Sequence, residues 1–374
     1  MSAVRAAVLT RCGDPGPFAQ TRPIEVRELR LGDPGPGEVR LRIRAAGLCH
    51  SDLSVIDGNR PRPVPMVLGH EAAGEVVATG PDCTLAPGDR VVLAFVPACG
   101  ECEPCLSGRA ALCEPGAAAN TDGTLLVGER RWRGDGEELI HHHLGVSAFA
   151  EEVIVSERSA VPIPDDLPYE TAAVFGCAVL TGVGAAMNAA DIEPGSTVAV
   201  VGLGGVGISA VMGARLAGAG KVIAVDPVAF KREKALELGA SEAIDPGGDL
   251  AGQLREAAGE PPASVIETVG SATVLRAAYE ATARGGTTVT VGLPAPDAML
   301  SIPAVSLVTE ERTLRGSYHG SGAPREILPR LFDEWRAGNL PADQLITDRL
   351  TLDELNEGFD RLASGEQLRQ VAVP

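Results

Sequence analysis

Short apolar runs punctuated by glycine and proline dominate the first hundred residues. Residues 39–43, 73–78 and 90–95 are apolar stretches set off by turn signals such as Pro34-Gly35-Pro36-Gly37 and Pro87-Gly88-Asp89, and residues 1–9 read as a first strand. The pattern predicts a β-rich domain. Residues 114–148 lose it: they are polar and irregular, and include Arg130-Arg131-Trp132-Arg133 and His141-His142-His143. Adjacent histidines lack the helical spacing that lets one face share a metal, so they read as surface or pocket wall. Residues 149–155 read as another strand, and Leu167-Pro168-Tyr169-Glu170 opens a helical stretch that passes Cys177 and ends at Asn188.

At residue 197 the character changes. Thr197-Val198-Ala199-Val200-Val201 is continuously apolar, as a strand buried on both faces of a parallel sheet must be. Gly202-Leu203-Gly204-Gly205-Val206-Gly207 follows directly, then a helix over 208–219 and a second apolar strand, Lys221-Val222-Ile223-Ala224-Val225, ending at Asp226. Residues 264–267, 287–291 and 314–316 extend the same sheet, with alanine-rich helices between them. The fold class is therefore α/β, with a Rossmann-type doubly wound parallel sheet over 179–318. Leu328, Leu331, Phe332 and Trp335, and later Leu352, Leu355, Phe359 and Leu362, fall at helical spacing and read as core faces. Residues 194–214 carry no charge and have membrane-spanning length, but their glycines are grouped as a turn, so they read as strand, loop and helix.

Composition narrows the function. At 374 residues the chain exceeds one ordinary core and implies two domains. Fifty acidic against 32 basic residues, a net charge of -18, disfavour nucleic acid and anionic membrane surfaces and favour small-molecule partners. The N-terminal residues lack an apolar stretch with a cleavage site, and eight cysteines, most at metal-like spacing, imply reduced thiols, so a cytoplasmic location is expected. Cys12 and Cys83 have no evident role.

The chemistry concentrates in three places. The glycine loop from Gly202 through Gly204 and Gly205 to Gly207 lies between strand and helix, where its backbone can approach a pyrophosphate at a helix N-terminus, and Asp226 stands where a ribose hydroxyl would be accepted. Cys99, Cys102, Cys105 and Cys113, with Gly100 and Pro104 turning the chain, suit a closed four-sulfur zinc site; disulfides or an iron–sulfur cluster are the alternatives. Cys49 and His70 are two zinc-ligand types, each with a carboxylate close by, Asp52 and Glu71. Cys177 is the best third ligand for an open, catalytic zinc, the alternative being that all three are ordinary core residues.

With Gly69-His70-Glu71 followed by Gly74 and Gly80, the cysteine lobe, Cys177 and the glycine loop in view, the chain resembles the zinc-dependent medium-chain alcohol dehydrogenase family over essentially its whole length. The resemblance implies a partly open chaperonin-10-like barrel in a discontinuous catalytic domain, residues 1–178 and 319–374, with a structural zinc lobe at 97–115. It implies two zinc ions and NAD. Glu71 would be an occasional fourth ligand, Asp52 would hold the tautomer of His70, and Ser51 would relay the substrate proton. Where better-known relatives complete that relay with a histidine, this chain has Ser54. Val206 and Thr181 would lie behind the nicotinamide and Val291 would offer it backbone. His50 and Arg369 would contact the pyrophosphate and Lys231 the adenosine ribose.

Around the substrate the resemblance places Phe95, Leu144, Leu293 and Tyr318, together with Arg60 and His143 at positions commonly apolar in ethanol-active relatives. Arg60 either faces this channel, favouring polar-tailed or aromatic primary alcohols over ethanol, or points to solvent. Neighbouring activities are oxidation of a formaldehyde–thiol adduct, against which stands Ala117 in place of a carboxylate-binding arginine, and polyol oxidation. A zinc-stabilised dinucleotide-binding regulator would not need Cys49, Ser51, His70 and Cys177 together. The interval between Cys113 and Cys177 resembles that of dimeric members, and residues 287–293 and 300–308 are expected to extend a sheet across a two-fold axis.

Overall fold

The computed structural model describes residues 2–374, which divide into two compact units. The first comprises the described residues of Met1–Cys177 together with Ala323–Arg336 and Ala342–Pro374. The second comprises Ala178–Gly322 and the short segment Ala337–Pro341, whose place there the sequence pattern does not suggest.

In the first unit, strands Ser2–Leu9, Ile24–Leu31, Trp132–Arg133, Leu139–His142 and Met66–Val67 close into a ring of five. Beside it lies a seven-stranded sheet ordered Ala160–Pro162, Arg90–Leu93, Glu71–Thr79, Glu38–Gly47, Arg369–Ala372, Ile346–Leu350, with Glu152–Ser156 also paired to Glu38–Gly47. The expected open barrel is thus a closed ring plus a sheet. Residues 114–148 are not irregular: they hold the helix Glu114–Asp122 and two strands of the ring. Those strands are too short for alternation to show, and Trp132, read as part of a polar loop, is fully buried.

The second unit is a six-stranded parallel sheet ordered Glu242–Ile244, Lys221–Val225, Thr197–Val201, Ser264–Glu267, Thr287–Thr290, Thr313–Gly316. Numbered along the chain this is the order 3-2-1-4-5-6 of a dinucleotide-binding sheet, with its switch point between Thr197–Val201 and Ser264–Glu267. The third strand, Glu242–Ile244, is half-buried throughout and shows no apolar run. The helix after the glycine loop is Gly205–Leu216, beginning inside the motif rather than after it.

Residues 194–214 do resolve into strand, loop and helix. The segment with membrane-spanning length is instead the helix Tyr169–Ala189, of mean hydropathy 1.6, and 83% of its apolar window is buried in the protein. Its burial is that of a core helix.

Candidate active site

Three elements bring Cys49, His70 and Cys177 together. Cys49 lies in extended backbone at the junction between strand Glu38–Gly47 and helix His50–Ile56. His70 immediately precedes strand Glu71–Thr79. Cys177 sits where the long helix widens into a π-helical turn, Phe175–Val179, a local unwinding often found at functional positions. The ligand atoms lie within 4.8 Å of one another and all three residues are buried. His70 Nε2 is 3.5 Å from Cys177 Sγ, while Nδ1 is 3.0 Å from Asp52 Oδ2.

Strand register explains the groups around them. Gly47 pairs with Glu71 on one side and with Val371 on the other, so the C-terminal strand delivers Arg369 to the floor of the site. A Cβ at Gly47 would stand 2.6 Å from Glu71 Oε1, so any larger residue there would push the carboxylate from its present place. Arg369 Nε lies 3.3 Å from Glu71 Oε1, and Nη1 donates to Leu48 O at 2.8 Å. Arg369 is thus buried beside Glu71, a placement the sequence does not reveal because the two are joined only by sheet pairing.

The electrostatics are those of a cation site. The Cys49 thiol is drawn well below its ordinary value by Cys177, and by the charges of Arg369 and His70, despite burial. Cys177, its partner, is pushed up by Cys49 and by burial. Burial works to lower His70, but Asp52 and Cys49 carry it well above the usual imidazole value. Burial pushes the Glu71 carboxyl up to about 7 against the pull of Arg369. Two sulfurs and an imidazole converge in one buried place, with two carboxylates and an arginine around them, and this donor set suits zinc.

Ser51 is half-buried in the helix that follows Cys49. Ser54, in place of the relay histidine, donates its hydroxyl to His50 O at 2.8 Å. His142 and His143 are buried, not superficial. His143 Nε2 lies 3.2 Å from Asp52 Oδ1, so the ring faces the back of the site and is no cation for a substrate. Burial also holds His143 below its ordinary value, hence neutral, with Asp52 opposing. Phe95 packs edge-on against His70, centroids 5.3 Å apart, and Leu144 is buried. Arg60 is half-buried, with its backbone N–H bonded to Ser54 O.

The four lobe sulfurs, of Cys99, Cys102, Cys105 and Cys113, also lie within 4.8 Å of one another. Backbone N–H groups point at them: Cys99 N at Cys113 Sγ (3.1 Å), Cys102 N at Cys99 Sγ (3.3 Å), Gly116 N at Cys113 Sγ (3.4 Å). Such donors favour thiolates, and the Glu101 amide above all draws Cys99 down to about 7. All eight cysteines are unbridged.

In the second unit, a Cβ at Gly207 would stand 1.8 Å from Gly202 O, whereas one at Gly204 would meet nothing, so the loop closes tightly on one side and lies open on the other. Asp226 is buried, Oδ2 accepting from Leu203 N (2.8 Å) and Oδ1 from Val228 N (2.9 Å), which ties the glycine loop to the end of the second strand. Each oxygen keeps a further lone pair. Thr181 Oγ1 is buried with no hydrogen-bond partner among the described residues. Val291 N is taken by Glu267 O, leaving its carbonyl as the backbone group to offer. Lys231 is buried rather than solvated; burial lowers its pKa, with Asp226 opposing. Leu293 and Tyr318 are exposed on this unit. Open glycine backbone at the head of a helix, an acidic residue on the next strand and an orphaned hydroxyl together fit a dinucleotide.

Two family models match the chain: the alcohol dehydrogenase GroES-like domain over residues 35–165 and the zinc-binding dehydrogenase domain over 205–335. The chain is 40% identical to an NDMA-dependent alcohol dehydrogenase from Amycolatopsis methanolica over 374 residues, covering 99% of this chain and 98% of that one. It is 40% identical to a geraniol dehydrogenase from Castellaniella defragrans over 373 residues, 99% of this chain and 97% of that one. The crystal structure of benzyl alcohol dehydrogenase from Acinetobacter calcoaceticus superposes with a TM-score of 0.91 at 30% identity, covering 100% of this chain and 99% of that one.

Proposed function

The chain belongs to the zinc-dependent medium-chain alcohol dehydrogenase family, and on that premise we propose that it oxidises primary alcohols with NAD, holding zinc at two sites. The observation that carries this is the buried trio Cys49, His70 and Cys177 with Asp52 behind the imidazole. When bound, zinc supplies a Lewis acid for the alcohol oxygen and NAD the hydride acceptor.

The chain's own residues do the rest. Cys49, His70 and Cys177 hold the metal, and Asp52 keeps the proton of His70 on Nδ1 so that Nε2 is the donor. Glu71, held back by Arg369, is the reserve ligand. Ser51 takes the hydroxyl proton, and because Ser54 is bonded to backbone, the proton leaves by water or by His50. Gly202, Gly204, Gly205 and Gly207 cradle the pyrophosphate. Asp226 and Lys231 hold the adenosine ribose, and Thr181, Val206 and Val291 position the nicotinamide. Phe95 and Leu144 form the substrate wall of the first unit, with Arg60 its cation. Cys99, Cys102, Cys105 and Cys113 hold a structural zinc. The protein works in the cytoplasm as a homodimer.

Substrate names among the relatives, geraniol and benzyl alcohol, favour bulky primary alcohols over ethanol. The NDMA-dependent relative favours a second reading, in which turnover needs NDMA as acceptor. Purified protein is assayed with ethanol, geraniol and benzyl alcohol, each with NAD, with NADP and with NAD plus NDMA. Reduced nicotinamide accumulating with NAD supports the first reading, and turnover confined to the NDMA arm supports the second. No turnover in any arm overturns both. Because Asp226 crowds and repels a 2′-phosphate, NADP is expected to be the poorer cofactor and Asp226→Ala to narrow the gap; equal use by the wild type removes Asp226 from the ribose.

A further inference from the structure

The wall behind His70 contains a second imidazole. The rings of His70 and His143 meet edge-on, centroids 5.6 Å apart and 70° between planes. His143 Nε2 lies 3.2 Å from Asp52 Oδ1, and the same oxygen accepts the Gly69 amide at 3.0 Å. The other oxygen, Oδ2, lies 3.0 Å from His70 Nδ1. One fully buried carboxylate therefore faces three donors, which its lone pairs can accommodate. A carboxylate only accepts, so closing this contact into a hydrogen bond requires the ring proton of His143 on Nε2. Neither ring nitrogen of His143 completes a well-directed hydrogen bond among the described residues; Nε2 is the one set against a carboxylate, 3.2 Å from Asp52 Oδ1.

We propose that His143 is a positioning residue for the metal-ligating His70, acting through Asp52. With Gly69 and His143 both directed at Oδ1, the carboxylate is fixed about its last torsion and Oδ2 is left for His70 alone. An apolar ring at position 143 would leave Oδ1 with the Gly69 amide only, on a carboxylate that is fully buried. His70 would then be free to turn relative to Cys177, and the metal would be held less firmly. Partners of this outer kind typically change metal affinity by 10- to 100-fold.

The inference rests on the reading that Cys49, His70 and Cys177 hold zinc. Its test follows zinc release from the full-length, zinc-loaded protein to a chelator, the lobe zinc serving as internal control. His143→Phe is expected to release the site zinc roughly tenfold faster or more while the lobe zinc leaves at its wild-type rate. His143→Gln, whose side-chain N–H can still reach Oδ1, is expected to recover most of the difference. Release from His143→Phe at the wild-type rate overturns the proposal, as does a glutamine variant no better than phenylalanine. Should His143→Phe fail to fold, nitrogen NMR of the wild-type histidines decides: His143 protonated on Nε2 supports the proposal, and protonation on Nδ1 overturns it. A wild type that loads zinc in the lobe alone overturns the underlying site and this inference with it, a result distinguishable because no variant is involved.

Discussion

Three adjacent histidines carry three different burdens. His141 is half-buried beside Arg130, His143 leans on Asp52, and His142 is sealed between them next to Trp132, its Nε2 accepting the Arg131 amide at 3.1 Å. Burial, reinforced by Arg130 and Arg131, pushes His142 down to about 3, so the folded protein keeps it neutral. The unfolded chain takes a proton there near 6.5. As pH falls below 6.5 the unfolded state binds that proton first, so stability is complete above 6.5 and drains progressively toward about 3. At pH 5 the loss from this residue is about 2 kcal/mol. His142→Gln preserves an acceptor for Arg131 and removes the titration. Its denaturant midpoint is expected to fall less than the wild type's between pH 6.5 and 5, and parallel declines would show that His142 is not the proton-linked group. No spacing rule separates these histidines in the sequence. The difference arises from a four-residue strand, Leu139–His142, that turns alternate side chains inward and then ends.

At the scale of elements, legibility follows burial symmetry. Thr197–Val201 and Lys221–Val225 are covered on both faces and declare themselves as unbroken apolar runs. Trp132–Arg133 and Met66–Val67 have two residues each, too few for any period, although they close the ring of the first unit. The cysteine lobe was readable for a different reason: its four ligands lie close along one stretch of chain, whereas Arg369 and Glu71 meet only through sheet register. That contrast sets different expectations for the two zinc sites. The lobe has little apolar packing of its own, leaving Leu106 and Leu112 exposed, so its order depends on the metal. Cys102→Ser or Cys105→Ser is expected to release the lobe zinc and lower the melting temperature by several degrees. Cys49→Ala or Cys177→Ala sits on elements already fixed by the sheet and the core helix, so the melting temperature should hold within a few degrees while turnover drops at least a thousandfold, a loss of ~4 kcal/mol in transition-state stabilisation. Metal analysis with thermal unfolding checks both, and a lobe variant as stable as the wild type would remove the structural role.

For the molecule as a whole, the question is what covers the free edge of the second unit. Sequence pattern points to residues 287–293 as the strand that would continue a sheet into another copy, but Thr287–Thr290 is internal, flanked by Ser264–Glu267 and Thr313–Gly316. The sheet ends at Glu242–Ile244 on one side and at Thr313–Gly316 on this one, and residues 300–308 contribute a helix, Ala304–Thr309, not a strand. Thr313 N and Ser317 N bond inward, to Gly286 O and Thr290 O, so by alternation Leu314 and Gly316 turn their backbone groups outward. An edge with open backbone invites pairing, and the chain just before it exposes Met299, Val305 and Val308, residues a solitary unit would rarely leave in water. Antiparallel pairing of two Thr313–Gly316 strands about a two-fold axis satisfies both features with one closed interface. Leu314→Pro removes an outward N–H without touching the inward ladder, a substitution edge strands tolerate. The wild type is therefore expected to sediment as a dimer and Leu314→Pro as a monomer with an unchanged circular dichroism spectrum. A wild-type monomer would remove the interface altogether, and a Leu314→Pro dimer would place it elsewhere on the surface.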